Sequence, residues 1–191
     1  MPRFTLNDLA PFGKQRPFFV VKGKTRRGRH NVVALTPQET RDYEKEVRFR
    51  VIQMLGESFV SPMFPTGTPV MIDLDFVSIR PKKYQKKKDS SGLIWCQNVP
   101  DVDNLEKAVI DALHGLMWKD DRQVVSIRSR KFYTEKGNNE PRVCIFVREA
   151  GNPPIYLCDS WSDEAEQSWD GANEEFIIGA QPVPLPDIKK L

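Results

Sequence analysis

The run PDVDNLEKAVIDALHGLMWKDD, residues 100–121, decides how the rest of the chain is read. Leu105, Ala108, Val109, Ala112, Leu113 and Leu116 recur at helical spacing and make one continuous apolar stripe. Asp103 suits the N-cap, Glu106 completes a capping box, and Gly115 suits the exit. The stripe accounts for the apolar residues but leaves a surplus of acid. Asp101 and Asp103 stand before the helix, and Asp120 and Asp121 follow it.

If the residues before the helix are extended, Asp101 and Asp103 point to one side about 6–7 Å apart. Lys107 lies one turn beyond Asp103, off the stripe, with Asp111 and His114 further along that flank. Residues 123–130 alternate like a strand, and pairing beside the strand that feeds the helix would bring Asp120 or Asp121 back to Asp101 and Asp103. Such a cluster repels itself unless a cation intervenes, and oxygen-only ligands favour Mg²⁺ or Mn²⁺.

The run D-V-D-N-L-x-K-x-x-x-D-A-L, followed by W-x-D-D-x-Q-V-V, resembles the signature of the RusA family of Holliday junction endonucleases. The likeness extends upstream through the basic run Lys22 to His30, a helix begun by Thr36 and a strand ending in Arg80-Pro81-Lys82-Lys83, and covers about residues 15–150. The resemblance implies metal-binding carboxylates at Asp101, Asp103 and Asp121, with Asp120 beside them, and an essential Lys107. It implies a homodimer that nicks opposed strands of four-way-junction DNA. A cytoplasmic, nucleoid-associated protein is expected, with a phage or prophage gene as its source an open alternative. The chain departs from the family in lacking Lys or Arg between Cys96 and Pro100, and in its long C-terminal extension.

The charge distribution fits a polyanion partner. Residues 151–191 hold eight acids and two lysines, which leaves 27 basic against 18 acidic residues in 1–150. A basic body, 1–150, is therefore expected to form the folded domain, with 151–191 an irregular acidic extension. Cys96, Cys144 and Cys158 form no C-x-x-C pair, so neither a zinc site nor a disulfide framework is expected. No apolar run approaches the roughly 20 residues of a membrane span, and the first residues lack the apolar core of a signal peptide.

Two basic segments are read as phosphate grips. Lys22, Lys24, Arg26, Arg27 and Arg29 are interleaved with glycines, which let a backbone approach phosphate closely. Arg80, Lys82, Lys83, Lys86, Lys87 and Lys88 form the densest positive patch, and their mutual repulsion predicts a flexible loop.

The remaining elements are scaffold. Residues 16–21 read as a first strand. Thr36 and Glu39 make a capping box before a helix whose stripe is Tyr43, Val47, Val51, Met54 and Leu55, with Arg48 facing water. Residues 70–79 are a strong strand. Its Asp73-x-Asp75 is a second D-x-D motif, but without a following helix and lysine it reads as ordinary strand alternation, half exposed. Residues 124–132 and 142–147 read as a hairpin, with Val125 and Ile127 turned inward.

The expected fold is a single α+β domain, a mixed sheet packed by two helices. A DNA-binding module without catalysis would use the same basic loops. A nucleotide-sugar transferase would use a D-x-D but not the lysine run. A calcium loop fails because Glu106 stands at its sixth position and Ala112 at its twelfth.

Overall fold

Nine residues, Val70–Ser78, form the strand around which the sheet is assembled. The computed structural model describes residues 2–24, 29–56 and 59–151. In chain order the elements are β1 (Arg3–Asn7), β2 (Phe18–Lys24), β3 (His30–Leu35), α1 (Gln38–Leu55), β4 (Val70–Ser78), β5 (Ile94–Trp95), α2 (Val102–Leu113), β6 (Val124–Tyr133) and β7 (Arg142–Glu149). Five strands form a mixed sheet in the order β1-β7-β4-β6-β5, and β2 pairs with β3 in a separate two-stranded ribbon. The expected α+β architecture, a mixed sheet with two helices, is what the chain adopts.

The expected hairpin of β6 with β7 does not form. β4 lies between them, parallel to β6 and antiparallel to β7. The reason lies in β4 itself: it is buried along nearly its whole length, which requires a strand on each side.

Both helices pack on one face of this sheet. Ile72, Leu74 and Phe76 from β4, and Val143, Ile145 and Val147 from β7, meet Tyr43, Val47 and Val51 of α1 and Leu105, Ala108, Val109, Ala112 and Leu113 of α2. The stripe read for α2 is therefore the buried face, and it continues past the helix through Leu116, Met117 and Trp118. In α1, Met54 departs from its expected place and is 52% exposed. Val125 and Ile127 also depart, at 58% and 39% exposed. A bulge in the β4–β6 ladder sets Val124 opposite Val70 and Ser126 opposite Met71, so Val124, not Val125, packs on the core. Ile127 is in register with Ile72 but lies beyond the cover of the helices.

Helix starts shift slightly from expectation. α1 begins at Gln38 after Pro37 with no side-chain cap, and Glu39 accepts from Gln15 Nε2 at 2.7 Å instead of closing a box with Thr36. Arg48 does not simply face water. Its Nη1 donates to Ala112 O at 3.3 Å and His114 O at 2.8 Å, satisfying carbonyls that the end of α2 leaves open. The acidic extension expected from residue 151 onward lies outside the described residues, apart from Gly151.

Candidate functional site

Asp101 is the N-cap of α2 by backbone geometry (φ −66°, ψ 150°), yet its side chain makes no capping hydrogen bond. The cap thus falls two residues before the expected one at Asp103, with Leu105 N–H donating to Asp101 O at 3.2 Å. Asp103 falls in the first turn, where Lys107 Nζ approaches its Oδ2 at 3.3 Å. Both partners of that pair are exposed, so it neutralises Asp103 only weakly. Among the described residues, Asp101 has no hydrogen-bonding or ionic partner for its carboxylate.

The backbone that presents these acids is held from two sides. Lys131 Nζ donates to Asn98 O and to Pro100 O, each at 2.6 Å, and Cys96 N–H donates to Lys131 O at 3.0 Å. On the other side Gly13 lies so close that an added Cβ would stand 2.5 Å from Pro100 Cβ. Lys14 N–H donates to Asn104 O at 2.9 Å, and its ammonium pairs with Asp111 and, at 3.6 Å, with Glu44. Lys131 and Gly13 escaped the sequence reading. A lysine in register with Phe76, on the helix side of β6, was the available signal for the first.

Asp120 and Asp121 sit at the opposite end of α2. Asp120 caps a short 3-10 turn, Asp121–Gln123: it accepts from Arg122 N–H at 3.0 Å while the Gln123 amide closes the capping box. Arg122 Nε and Nη2 bond both of its oxygens, at distances down to 2.6 Å, and this pairing holds its pKa down to about 2. Asp121 Oδ1 accepts from Trp118 Nε1 at 2.9 Å and lies 3.2 Å from His114 Nδ1. Twelve residues of α2 span about 18 Å.

One chain therefore does not bring Asp121 to Asp101 and Asp103, and among the described residues no three acidic, His or Cys side chains group as a metal site. The expected convergence within a single chain is corrected accordingly. β6 runs the length of the sheet, so its beginning, beside Asp121, and its end, beside Asp101, are far apart.

The lysine patch joins the Asp101 end. Lys82, Lys83, Lys86, Lys87 and Lys88 are exposed, while Tyr84 packs 5.8 Å from Tyr133 at the end of β6 and Lys136 Nζ donates to Lys86 O at 2.6 Å. The loop contains a 3-10 turn, Lys82–Tyr84, and Arg80 is its internal post. Arg80 is 1% exposed and donates to Thr134 O and Ser90 O at 2.7 Å each, and to Gly92 O. Burial lowers its pKa. Arg80 is thus no phosphate grip: it is buried, and carbonyls of the chain hold its Nε, Nη1 and Nη2.

Of the other basic segment, Lys22 and Lys24 are exposed at the end of β2 and Arg29 directly precedes β3, while Arg26 and Arg27 lie outside the described residues.

The family model described as Endodeoxyribonuclease RusA matches residues 8–148. The chain belongs to the RusA family. It is also 35% identical over 144 residues to a protein of Bacillus subtilis (strain 168) described as uncharacterized protein YqaN, an alignment covering 73% of this chain and 90% of that one. RusA membership supports endonuclease activity on DNA, and the matched span contains everything from β2 to nearly the end of β7. No helix among the described residues is long and apolar enough to cross a membrane.

Proposed function

We propose that this protein is a structure-specific endodeoxyribonuclease that resolves Holliday junctions by paired nicks, using Mg²⁺ or Mn²⁺, as a homodimer in recombination and repair. The observation that carries this reading is the state of Asp101 and Asp103. They are exposed, scarcely neutralised, and held on a clamped backbone at the same end of the molecule as five exposed lysines. A protein gains little stability from acids left in that state; a hard cation and a phosphate both gain from the arrangement.

The donor set fits such a cation, since it offers carboxylate oxygens and nothing softer. Asp101 and Asp103 would hold it, with Asp121 supplied by a second copy of the chain. Asp120, bonded through both oxygens to Arg122, is the poorest donor of the four. Once bound, a divalent ion stabilises the charge that gathers on phosphoryl oxygens during hydrolysis. Lys107 adds positive charge beside the scissile phosphate, and the lysines of the 82–88 loop, with Lys22 and Lys24, grip the backbone without reading bases. A two-fold dimer matches a substrate with two equivalent strands to cut.

The separation of Asp121 from Asp101 within one chain favours a second reading, a branched-DNA-binding protein that does not cut. Incubating the protein with labelled four-way, forked and linear duplex DNA, with Mg²⁺ or with chelator, separates them. Paired nicks in the junction that require the metal and vanish in Asp103→Asn support the nuclease. Tight binding without cleavage in any metal leaves the binding protein.

A further inference from the structure

The β2–β3 ribbon stands apart from the five-stranded sheet, and its two faces differ. Cross-strand pairing sets Phe19 opposite Ala34 and Val21 opposite Val32, so these four side chains share one face. All four are exposed, Phe19 at 72%, Val21 at 56% and Val32 at 52%. The other face carries Phe18, Val20, Val33 and Leu35, of which the last three are half-buried. Among the described residues, none from β2 or β3 belongs to the apolar core. An isolated two-stranded ribbon is marginal in water, and a contiguous apolar patch upon it marks a surface that meets something else.

The charges around this patch are of one sign. Residues 16–35 contain no Asp or Glu, and Arg16, Lys22 and Lys24 are exposed. The foot of the ribbon is fixed beside the acids. Lys14 N–H donates to Asn104 O at 2.9 Å, and Gln15 is tied to α1 through Thr40 Oγ1 at 3.3 Å and Glu39 at 2.7 Å. Phe19 follows Lys14 by five residues and so lies within about 18 Å of that contact, a span of about five base steps.

We infer that the open face of the ribbon takes unstacked bases of branched DNA, with Phe19 as the ring on which a base lies. This rests on the reading of the protein as one that acts on branched DNA, and it adds to that reading a residue that determines specificity. The occupant must be anionic and apolar at once. A linear duplex is a poor match, because its base rings are stacked inside and phosphates line its surface. At a branch point stacking is interrupted, and an open ring face can settle on an aromatic side chain without its identity being read. A second copy of the chain is the poorer occupant, since a two-fold contact would bring two sets of like cations together.

The test measures affinity in chelator, where no cleavage is required. Phe19→Thr removes the ring and keeps the strand preference. Against the unmodified chain it should bind four-way and forked DNA about 10-fold more weakly, and linear duplex equally well. Phe19→Trp should restore branched-DNA binding, and the emission of the added indole should be quenched by the junction and not by the duplex. Equal loss on junction and duplex, no loss on either, or an unmodified chain without preference for branched DNA overturns the assignment. So does a Phe19→Thr chain whose sedimentation changes while its DNA affinity does not, which would give the face to a second copy. Failure of the nuclease reading looks different: the preference for branched DNA then still depends on Phe19, but nothing is cut in Mg²⁺ or Mn²⁺.

Discussion

Two D-x-D motifs lie twenty-eight positions apart in this chain, and the fold treats them oppositely. Asp73 and Asp75, 6% and 4% exposed, are each met by an arginine of the neighbouring strand. Burial pushes the Asp75 pKa up, and the Arg130 fork pulls it back towards the ionised form. Asp101 and Asp103 are exposed at a helix start, and among the described residues Lys107, beside Asp103, is the one cation paired with either. The motif by itself therefore says little about metals. What matters is whether the carboxylates have been consumed by internal partners or left for an external one.

The largest effect that could break this contrast is on activity. Asp103→Asn is expected to lower junction cleavage by about 10³-fold in a gel assay, as the loss of a charge-stabilising group does, while Tm hardly moves because the residue is exposed. A variant that melts early and loses activity in proportion would make Asp103 structural.

At the other motif the order reverses. Arg130→Met strands Asp75 in the sheet and should cost about 3 kcal/mol in denaturant unfolding, with Asp75→Asn in the same chain restoring most of it. Additive losses would show that the pair is not coupled.

A smaller effect probes the clamp beneath Asp101. Gly13→Ala forces a methyl to within 2.5 Å of Pro100 and should cost about 2 kcal/mol of overpacking, together with a fall in cleavage larger than the fall in stability. Unchanged cleavage would mean that the 98–100 backbone tolerates displacement.

The least effect belongs to Asp120. Its folded pKa of about 2 lies below the ordinary 3.8, so its pairing with Arg122 stabilises the fold above that ordinary value and is lost as pH falls towards about 2. A shallow drop in Tm across that window should disappear in Arg122→Gln. If it persists, other carboxylates are responsible.

The sequence reading succeeded where interactions are local. The α2 stripe needed only helical spacing, and the preference for a structural role at Asp73 and Asp75 needed only the absence of a following helix and lysine. β1 carried an equally local signal, Phe4 and Leu6 alternating with exposed neighbours, which the reading passed over. Features that depend on distant segments were hidden. That β4 separates β6 from β7 follows from its need for two neighbours, which no turn signal around residue 137 could disclose. Arg80 looked like one more cation in a basic run because the carbonyls that bury it belong to Ser90, Gly92 and Thr134. The two ends of α2 looked as if they could meet because spacing along a chain does not say which way a strand will run beneath a helix.

The central place of β4 also governs how the protein is made. Its two edges are completed by β6 and β7, and the later of these is not finished until residue 149. During synthesis, a strand of nine largely apolar residues emerges from the ribosome long before its second neighbour exists. Nascent chains halted near residue 140 should accordingly remain open to protease and dependent on chaperones, because the last strand, not the helix that carries Asp101, closes the fold.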